Sequence, residues 1–139
     1  MMMVYLIASL AGRVATVLCV LVILLPYLLR RNQLSRGLGL AQGQAAPYVR
    51  RLWPHFWVGY AILGMTAVHV GTVIGAMGRA NRGGILAATG ALFLLLFETR
   101  LGVNLKDEGL TARRPLRRIH FWTMAAFVGA LGVHVWLNG

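Results

Sequence analysis

The sequence predicts an all-α membrane protein, a single transmembrane four-helix bundle that comprises residues 1–139. Composition is the first reason, because 58% of the residues are hydrophobic, 12% are charged and the mean hydropathy is +0.70. A soluble domain of this length is normally less apolar. Four separate apolar runs are the second reason, since each approaches the roughly 20 residues that a helix needs to cross a bilayer. The third is that basic residues cluster between these runs.

The four helices are expected at about residues 3–29, 54–77, 84–103 and 115–137. The first lacks a basic leading segment and a small-residue cleavage site, so we interpret it as a retained helix and not as a signal peptide. It contains Arg13, which is costly at mid-membrane unless it reaches the interface or meets a partner. Pro54 and Pro115 suit the first turns of helices two and four, where no N–H is needed.

The basic residues predict the orientation of the chain. The first and third connections, with the adjoining helix ends, contain Arg30, Arg31, Arg36, Arg50, Arg51, Arg100, Lys106, Arg113, Arg114, Arg117 and Arg118. The second connection has only Arg79 and Arg82. Because Lys- and Arg-rich loops stay in the cytoplasm, both termini are expected outside, in the periplasm for a protein of the bacterial inner membrane. This placement argues against nucleic acid as the partner that explains the net charge of +11.

Histidine spacing is the main functional signal. His55 and His69 lie fourteen residues apart, as do His120 and His134, and the chain contains no other histidine. Fourteen residues correspond to about four helical turns and roughly 21 Å of rise, so both members of a pair share one side of their helix. Helices two and four are separated by one crossing and therefore run parallel. We expect His55 and His120 near the cytoplasmic face and His69 and His134 near the outer face.

The segments around these histidines repeat at an offset of 65 residues. The matches are His55-Phe56-Trp57 with His120-Phe121-Trp122, Val68-His69-Val70 with Val133-His134-Val135, and Ala61 and Gly64 with Ala126 and Gly129. Helices one and three align poorly in sequence, so the repeat rests mainly on the two histidine helices. Each level would have one histidine from each helix, which suits bis-histidine ligation of two b-type haems between helices two and four.

Other cofactors are less compatible with the residues. No Cys-x-x-Cys-His motif is present, so covalent c-type haem attachment is excluded, and Cys19 has no disulfide partner. Zinc or copper sites with two histidines need carboxylate or thiolate ligands nearby, and neither histidine helix contains one. The remaining alternative is that the histidines form interhelical hydrogen bonds only.

Small and aromatic residues could complete the cofactor sites. Gly64 and Gly129 fall between the histidines and would let a porphyrin approach the backbone, although small residues also serve helix packing in membranes. Trp57 and Trp122 occupy equivalent positions two residues after a histidine. They would line haem edges or, alternatively, anchor the helices at the interface.

Charged residues could bind the haem propionates or move protons. Arg50, Arg51, Arg117 and Arg118 lie close in sequence to the cytoplasmic histidines and are candidates for propionate binding. The alternative is that they set topology and meet anionic lipid headgroups. Glu98 is the only acidic residue within an expected helix. We expect it to pair with Arg100 or to accept a proton from a quinol.

The histidine spacing and the parallel helix pair resemble the membrane di-haem cytochromes b. The likeness is to the four-helix haem bundle of cytochrome b in quinol–cytochrome c oxidoreductases, and to the membrane domains of ferric reductases and NADPH oxidases. It covers roughly residues 50–139 and implies axial pairs of His55 with His120 and of His69 with His134. The Pro-Glu-Trp-Tyr motif of the quinol site does not occur here.

The expected function is transmembrane electron transfer by two haems between a quinone pool and a redox partner. The chain would be a subunit of a larger redox complex or would serve a soluble electron carrier, and quinone is a candidate ligand. Two alternatives remain. One is a quinol-oxidising or metal-reducing enzyme, and the other is a haem-free structural or transport subunit.

Overall fold

Four long helices make up nearly all of the structure that can be described. The computed structural model describes residues 2–30, 52–74, 81–106 and 113–138. The helices are α1 (Met2–Arg30), α2 (Trp53–Val73), α3 (Arg82–Leu105) and α4 (Arg113–Asn138). All four are long and apolar enough to cross a membrane. The prediction of an all-α protein with four candidate membrane spans is therefore confirmed for the described residues.

The helix boundaries follow local sequence signals. Asn81 caps α3, because its side-chain oxygen accepts hydrogen bonds from the N–H groups of Gly83 at 2.8 Å and Gly84 at 3.4 Å. Pro54 and Pro115 lie in the first turns of α2 and α4, as expected. The ends of α1, α3 and α4 differ by at most two residues from the expected ones. The expected end of the second helix at Met77 lies outside the described residues.

The chain divides into two compact units, and each is described by itself. The amino-terminal unit is Met1–Thr72, with α1 and α2, and the carboxy-terminal unit is Val73–Gly139, with α3 and α4. Within each unit the two helices are antiparallel. In the first unit, for example, the start of α2 meets the end of α1, where His55 contacts Val22. In the second unit α3 packs along α4.

Most buried residues lie on one face of α1 or of α3, and α2 and α4 add only Ile62 and Phe127 among the described residues. The buried residues of α1 are Ala8, Ala11, Cys19, Val22, Leu25 and Leu29. Those of α3 are Gly84, Ala91, Leu95, Glu98 and Leu101. Spacings of three, four, seven and eight residues place each set on one helical stripe. Large apolar side chains elsewhere are exposed, among them Trp136 at 87% and Phe93 at 68%. An apolar surface of this extent suits a lipid environment and not water.

Candidate metal-ligand histidines

The two histidines of α2 dock on backbone carbonyl groups of α1. Nδ1 of His55 lies 3.0 Å from the carbonyl oxygen of Val22. Nδ1 of His69 lies 2.8 Å from that of Ala8. Both rings are partly buried. The two contacts hold the rings about four turns apart on one side of α2, as the spacing predicted. This side faces α1.

The two histidines of α4 contact α3 in the same way, with one difference. Nδ1 of His134 lies 3.0 Å from the carbonyl oxygen of Gly84. The side-chain amide of Asn138 lies 3.3 Å from the same nitrogen and donates to the carbonyl of His134 at 3.1 Å. His120 instead pairs through Nδ1 with the carboxylate of Glu98. Three histidines therefore meet a neutral carbonyl, and one meets an anion.

These contacts determine the protonation of the four rings. A carbonyl oxygen only accepts hydrogen bonds, so Nδ1 carries the proton in His55, His69 and His134, and the carboxylate beside Nδ1 of His120 favours the same tautomer. In a neutral ring the lone pair then belongs to Nε2. Metal-ligating histidines in proteins almost always donate their second N–H to a carbonyl or carboxylate. All four side chains thus have the tautomer and the type of partner that ligation through Nε2 requires.

The positions of the acceptor groups repeat between α1 and α3, although the side chains of the two helices align poorly. Ala8 and Val22 correspond to Gly84 and Glu98 at an offset of 76 residues, and both pairs are fourteen residues apart. The buried positions agree at the same offset, since Cys19 and Leu25 correspond to Leu95 and Leu101. The histidines repeat at an offset of 65 residues, which is eleven fewer than the offset of the acceptors. The segment between an acceptor and its histidine is therefore eleven residues longer in the amino-terminal unit.

In each contact, the acceptor helix has a small residue or a proline four positions after the residue that accepts from the ring. The residue four positions after each acceptor is Gly12, Pro26, Ala88 or Gly102. A Cβ atom on Gly12 would lie 3.0 Å from Nδ1 and 3.1 Å from Cε1 of His69, closer than real Cβ contacts normally come. A Cβ atom on Gly102 would lie 3.9 Å from Cε1 of His120, at ordinary contact distance.

Pro26 has a distinct role in the interior of α1. Proline has no N–H, so it cannot donate to the carbonyl four residues earlier, which is that of Val22. The ring Nδ1–H of His55 donates a hydrogen bond to this same carbonyl. Because Pro26 has no N–H, the Val22 carbonyl has no helical donor and is available to His55, a candidate ligand.

Glu98 is the buried charge of the carboxy-terminal unit. It is 6% exposed, and its Oε1 atom has no hydrogen-bond partner among the described residues. The expected pair with Arg100 is wrong for this part of the chain. Residues two apart point to different sides of a helix, and Arg100 is exposed. The ion pair is formed with His120 on the neighbouring helix instead.

Gly64 and Gly129 lie on exposed parts of α2 and α4. A Cβ atom added to either would meet nothing within 4 Å. Gly64 follows His55 by nine residues, about two and a half turns, which places it on the opposite side of α2. A porphyrin-contacting role for these two glycines stays a prediction, and the helical register favours the alternative of helix packing.

The two tryptophan candidates are exposed. Trp57 and Trp122 are 60% and 61% exposed. The ring of Trp57 contacts those of Trp53 and Tyr60, with centroids 6.0 and 6.3 Å apart. This exposure suits interfacial anchoring, and a contact with haem edges stays a prediction.

The arginine candidates divide into two groups. Arg117 and Arg118 are exposed in the first two turns of α4, shortly before His120. Arg50 and Arg51 lie outside the described residues. Propionate binding by these four arginines stays a prediction.

Sequence reasoning missed the acceptors of the histidines. Ala8, Val22 and Gly84 act through backbone oxygens, which no residue type reveals. Pro26 and Gly12 were the available signals, because both are unfavourable in the interior of an otherwise apolar helix. Among the described residues, no group of three or more His, Cys, Asp or Glu side chains lies together. Comparisons with protein-family models, curated protein sequences and solved structures found no match.

Proposed function

We propose that this chain is a di-haem b-type electron-transfer protein of the membrane. The observation that supports the proposal most is the shared state of the four histidines. Nδ1 of each lies against an acceptor on the preceding helix, which favours Nε2 as the ligating atom. The proposal pairs His55 with His120 and His69 with His134, because α2 and α4 are expected to run parallel with these residues at equal depths.

The residues of the chain bind and orient, and they undergo no bond changes of their own. A bis-histidine haem supplies reversible one-electron reduction of its iron with no open coordination position for oxygen or substrate. The hydrogen bonds to Val22, Ala8 and Gly84 fix the rotation of three imidazole rings. The fourth ring is fixed by Glu98. Rigid rings keep the ligand geometry constant when the oxidation state changes, which favours rapid electron transfer.

The proposal includes a path across most of the bilayer. The two histidine levels are separated by about 21 Å of helical rise. A quinone pool on one side and a redox partner on the other would complete the path, with one electron lost by the donor for each electron gained by the acceptor. We place the chain in a bacterial inner membrane with both termini outside, as a subunit of a larger redox complex or as the partner of a soluble carrier. Arg117 and Arg118 would bind the propionates of the haem nearer the cytoplasm.

The proposal is tested by haem stoichiometry in protein purified in mild detergent. We expect two low-spin b haems per chain, from the dithionite-reduced minus oxidised spectrum and from the pyridine haemochrome. The His69→Leu variant should retain one haem, and the Val68→Leu variant, altered at the neighbouring exposed position, should retain two. Two unaltered haems in the His69 variant would show that the ligand assignment is wrong.

A haem-free structural subunit is the second candidate. The same four contacts favour it, because each is also an interhelical bond between adjacent helices of one unit. Interhelical hydrogen bonds of this kind contribute about 0.6 kcal/mol each in membranes. Protein that is helical and monodisperse, yet free of haem after expression with excess haem supply, would support this candidate over the electron carrier.

A further inference from the structure

We propose that Glu98 lowers the reduction potential of the haem ligated by His120, so that the two haems have different and ordered potentials. The proposal rests on the proposed function. Glu98 was expected from the sequence to pair with Arg100, but it pairs with His120. Glu98 is a positioning residue in this scheme, since it acts on the iron through the imidazole of His120.

The two units provide an internal comparison. Val22 and Glu98 occupy equivalent positions, and each lies opposite the first histidine of the following helix. In the amino-terminal unit the acceptor is the Val22 backbone carbonyl. In the carboxy-terminal unit a carboxylate replaces it. The second histidines, His69 and His134, both meet carbonyls. Among the contacts of Nδ1 within the described residues, the partner is therefore a carboxylate for His120 and a neutral carbonyl for the other three histidines.

A carboxylate acceptor changes the ligand more than a carbonyl does. It draws the Nδ1 proton more strongly, which raises the basicity of Nε2 toward the metal. A more basic ligand stabilises ferric iron, the more positive state, over ferrous iron. The carboxylate charge acts in the same direction through space. Glu98 is 6% exposed, so water screens this charge little.

Nearby cations are poorly placed to cancel this effect. Five described basic side chains near the same end of the unit are exposed: Arg100, Lys106, Arg114, Arg117 and Arg118. Interactions of exposed charges are weakened by water and by salt. Arg113 is partly buried, but it lies seven residues before His120, about two turns away. The buried anion in direct contact with the ligand therefore dominates.

The consequence is a direction for the electrons. At equilibrium a single electron resides on the haem ligated by His134, because the other haem is harder to reduce. Electrons that enter at the level of His120 move toward the level of His134. In the proposed orientation this direction is from the cytoplasmic face to the outer face.

The test is a redox titration of each haem in the intact protein and in the Glu98→Gln variant. Glutamine keeps an oxygen acceptor and removes the charge. We expect the lower of two midpoint potentials to rise, with at least a tenfold change in the reduced-to-oxidised ratio, equivalent to 59 mV for one electron. The other midpoint should stay constant.

Ligand variants assign the midpoints independently of any change at Glu98. The haem that remains in His134→Leu should titrate near the lower of the two original midpoints, and the one that remains in His120→Leu near the higher. The reverse assignment overturns the proposal, even if Glu98→Gln fails to retain haem. Two haems whose midpoints do not respond to Glu98→Gln overturn it as well, while leaving the proposed function intact. Wild-type protein without haem overturns both.

Discussion

Each of the four histidines is held by an acceptor on the neighbouring helix, and this contact requires close approach. His69 comes within 2.8 Å of the Ala8 carbonyl, beside a residue without a side chain, Gly12. At helix interiors glycine costs about 1 kcal/mol relative to alanine. Its presence at position 12 is therefore explained by the ring that occupies its space.

The Gly12→Ala substitution tests this explanation. The new methyl group would displace the His69 ring, because it would lie 3.0 Å from Nδ1. We expect loss of at least half of one haem per chain, or a shift in its spectrum, despite the better helix propensity of alanine. Haem content and the reduced spectrum measure the effect.

The matched control for this substitution is Gly64→Ala. It adds the same methyl group at an open, exposed position of α2. It should leave haem content unchanged, and equal losses in both variants would contradict the role of Gly12.

Residue-level prediction correctly placed His55 and His69 on one side of their helix, and it failed for the partner of Glu98. The spacing of His55 and His69 follows from helix geometry alone, so it could be interpreted without a structure. The partner of Glu98 depends on which residue of the next helix lies opposite. Arg100 was the nearest cation in sequence, but an interval of two residues separates side chains on a helix.

At the scale of elements, α1 and α3 have one pattern of acceptors with almost no sequence in common. Sequence comparison missed this equivalence for a physical reason. The groups that repeat at positions 8, 22 and 84 are backbone oxygens, and only position 98 uses a side chain. The histidines of α2 and α4 were detectable because ring chemistry requires one residue type.

Replacing Pro26 by alanine tests whether the missing N–H of proline makes the Val22 carbonyl available to His55. Alanine would restore an N–H that competes with His55 for the Val22 oxygen. We expect a more stable α1, by up to about 3 kcal/mol. We also expect a higher midpoint for the haem ligated by His55, because a weaker Nδ1 bond lowers ligand basicity. Unfolding in SDS and redox titration measure the two effects.

Gly102→Ala is the control for the Pro26 variant. Gly102 is the equivalent position of α3, and a backbone N–H is already present there. Its added methyl group would make only ordinary contact with His120 at 3.9 Å. A rise in midpoint in both variants would point to general loosening of the helices and not to the carbonyl.

The cap of α3 supports the His134 contact and predicts a separate effect. Asn81→Ala removes the side-chain acceptor of the N–H groups of Gly83 and Gly84 in the first turn, at a cost of about 1 kcal/mol. The first turn includes Gly84, whose carbonyl receives the His134 N–H. We expect faster hydrogen exchange at residues 83 and 84, measured by mass spectrometry, with Asn81→Asp close to wild type. Unchanged exchange in the alanine variant would contradict the capping role.

At the scale of the whole molecule, the four candidate spans of the described residues could be predicted from sequence. The boundaries of α1, α3 and α4 agree within two residues because apolar length and flanking arginines both delimit a helix in a bilayer. Pairing of helices within each unit could not be predicted in detail. It depends on shape and on backbone acceptors, which hydropathy does not encode.

Orientation is tested with single cysteines at the two ends of α3. In a Cys19→Ala background, we introduce Arg82→Cys or Lys106→Cys, both at exposed positions. With both termini outside, an impermeant maleimide should label position 82 in intact cells and position 106 only after permeabilisation. The opposite pattern would reverse the proposed direction of electron movement relative to the cell.

Backbone acceptors have an evolutionary consequence. A point mutation changes a side chain, but it cannot delete the carbonyl of Ala8, Val22 or Gly84, so three of the four ring contacts are protected against most substitutions. Position 98 is different, because one codon change there replaces an anion by a neutral group. Under the proposed ligation, α1 and α3 can thus change widely in sequence without loss of these three acceptors. Adaptation to donors of different reducing strength would then be concentrated at residue 98.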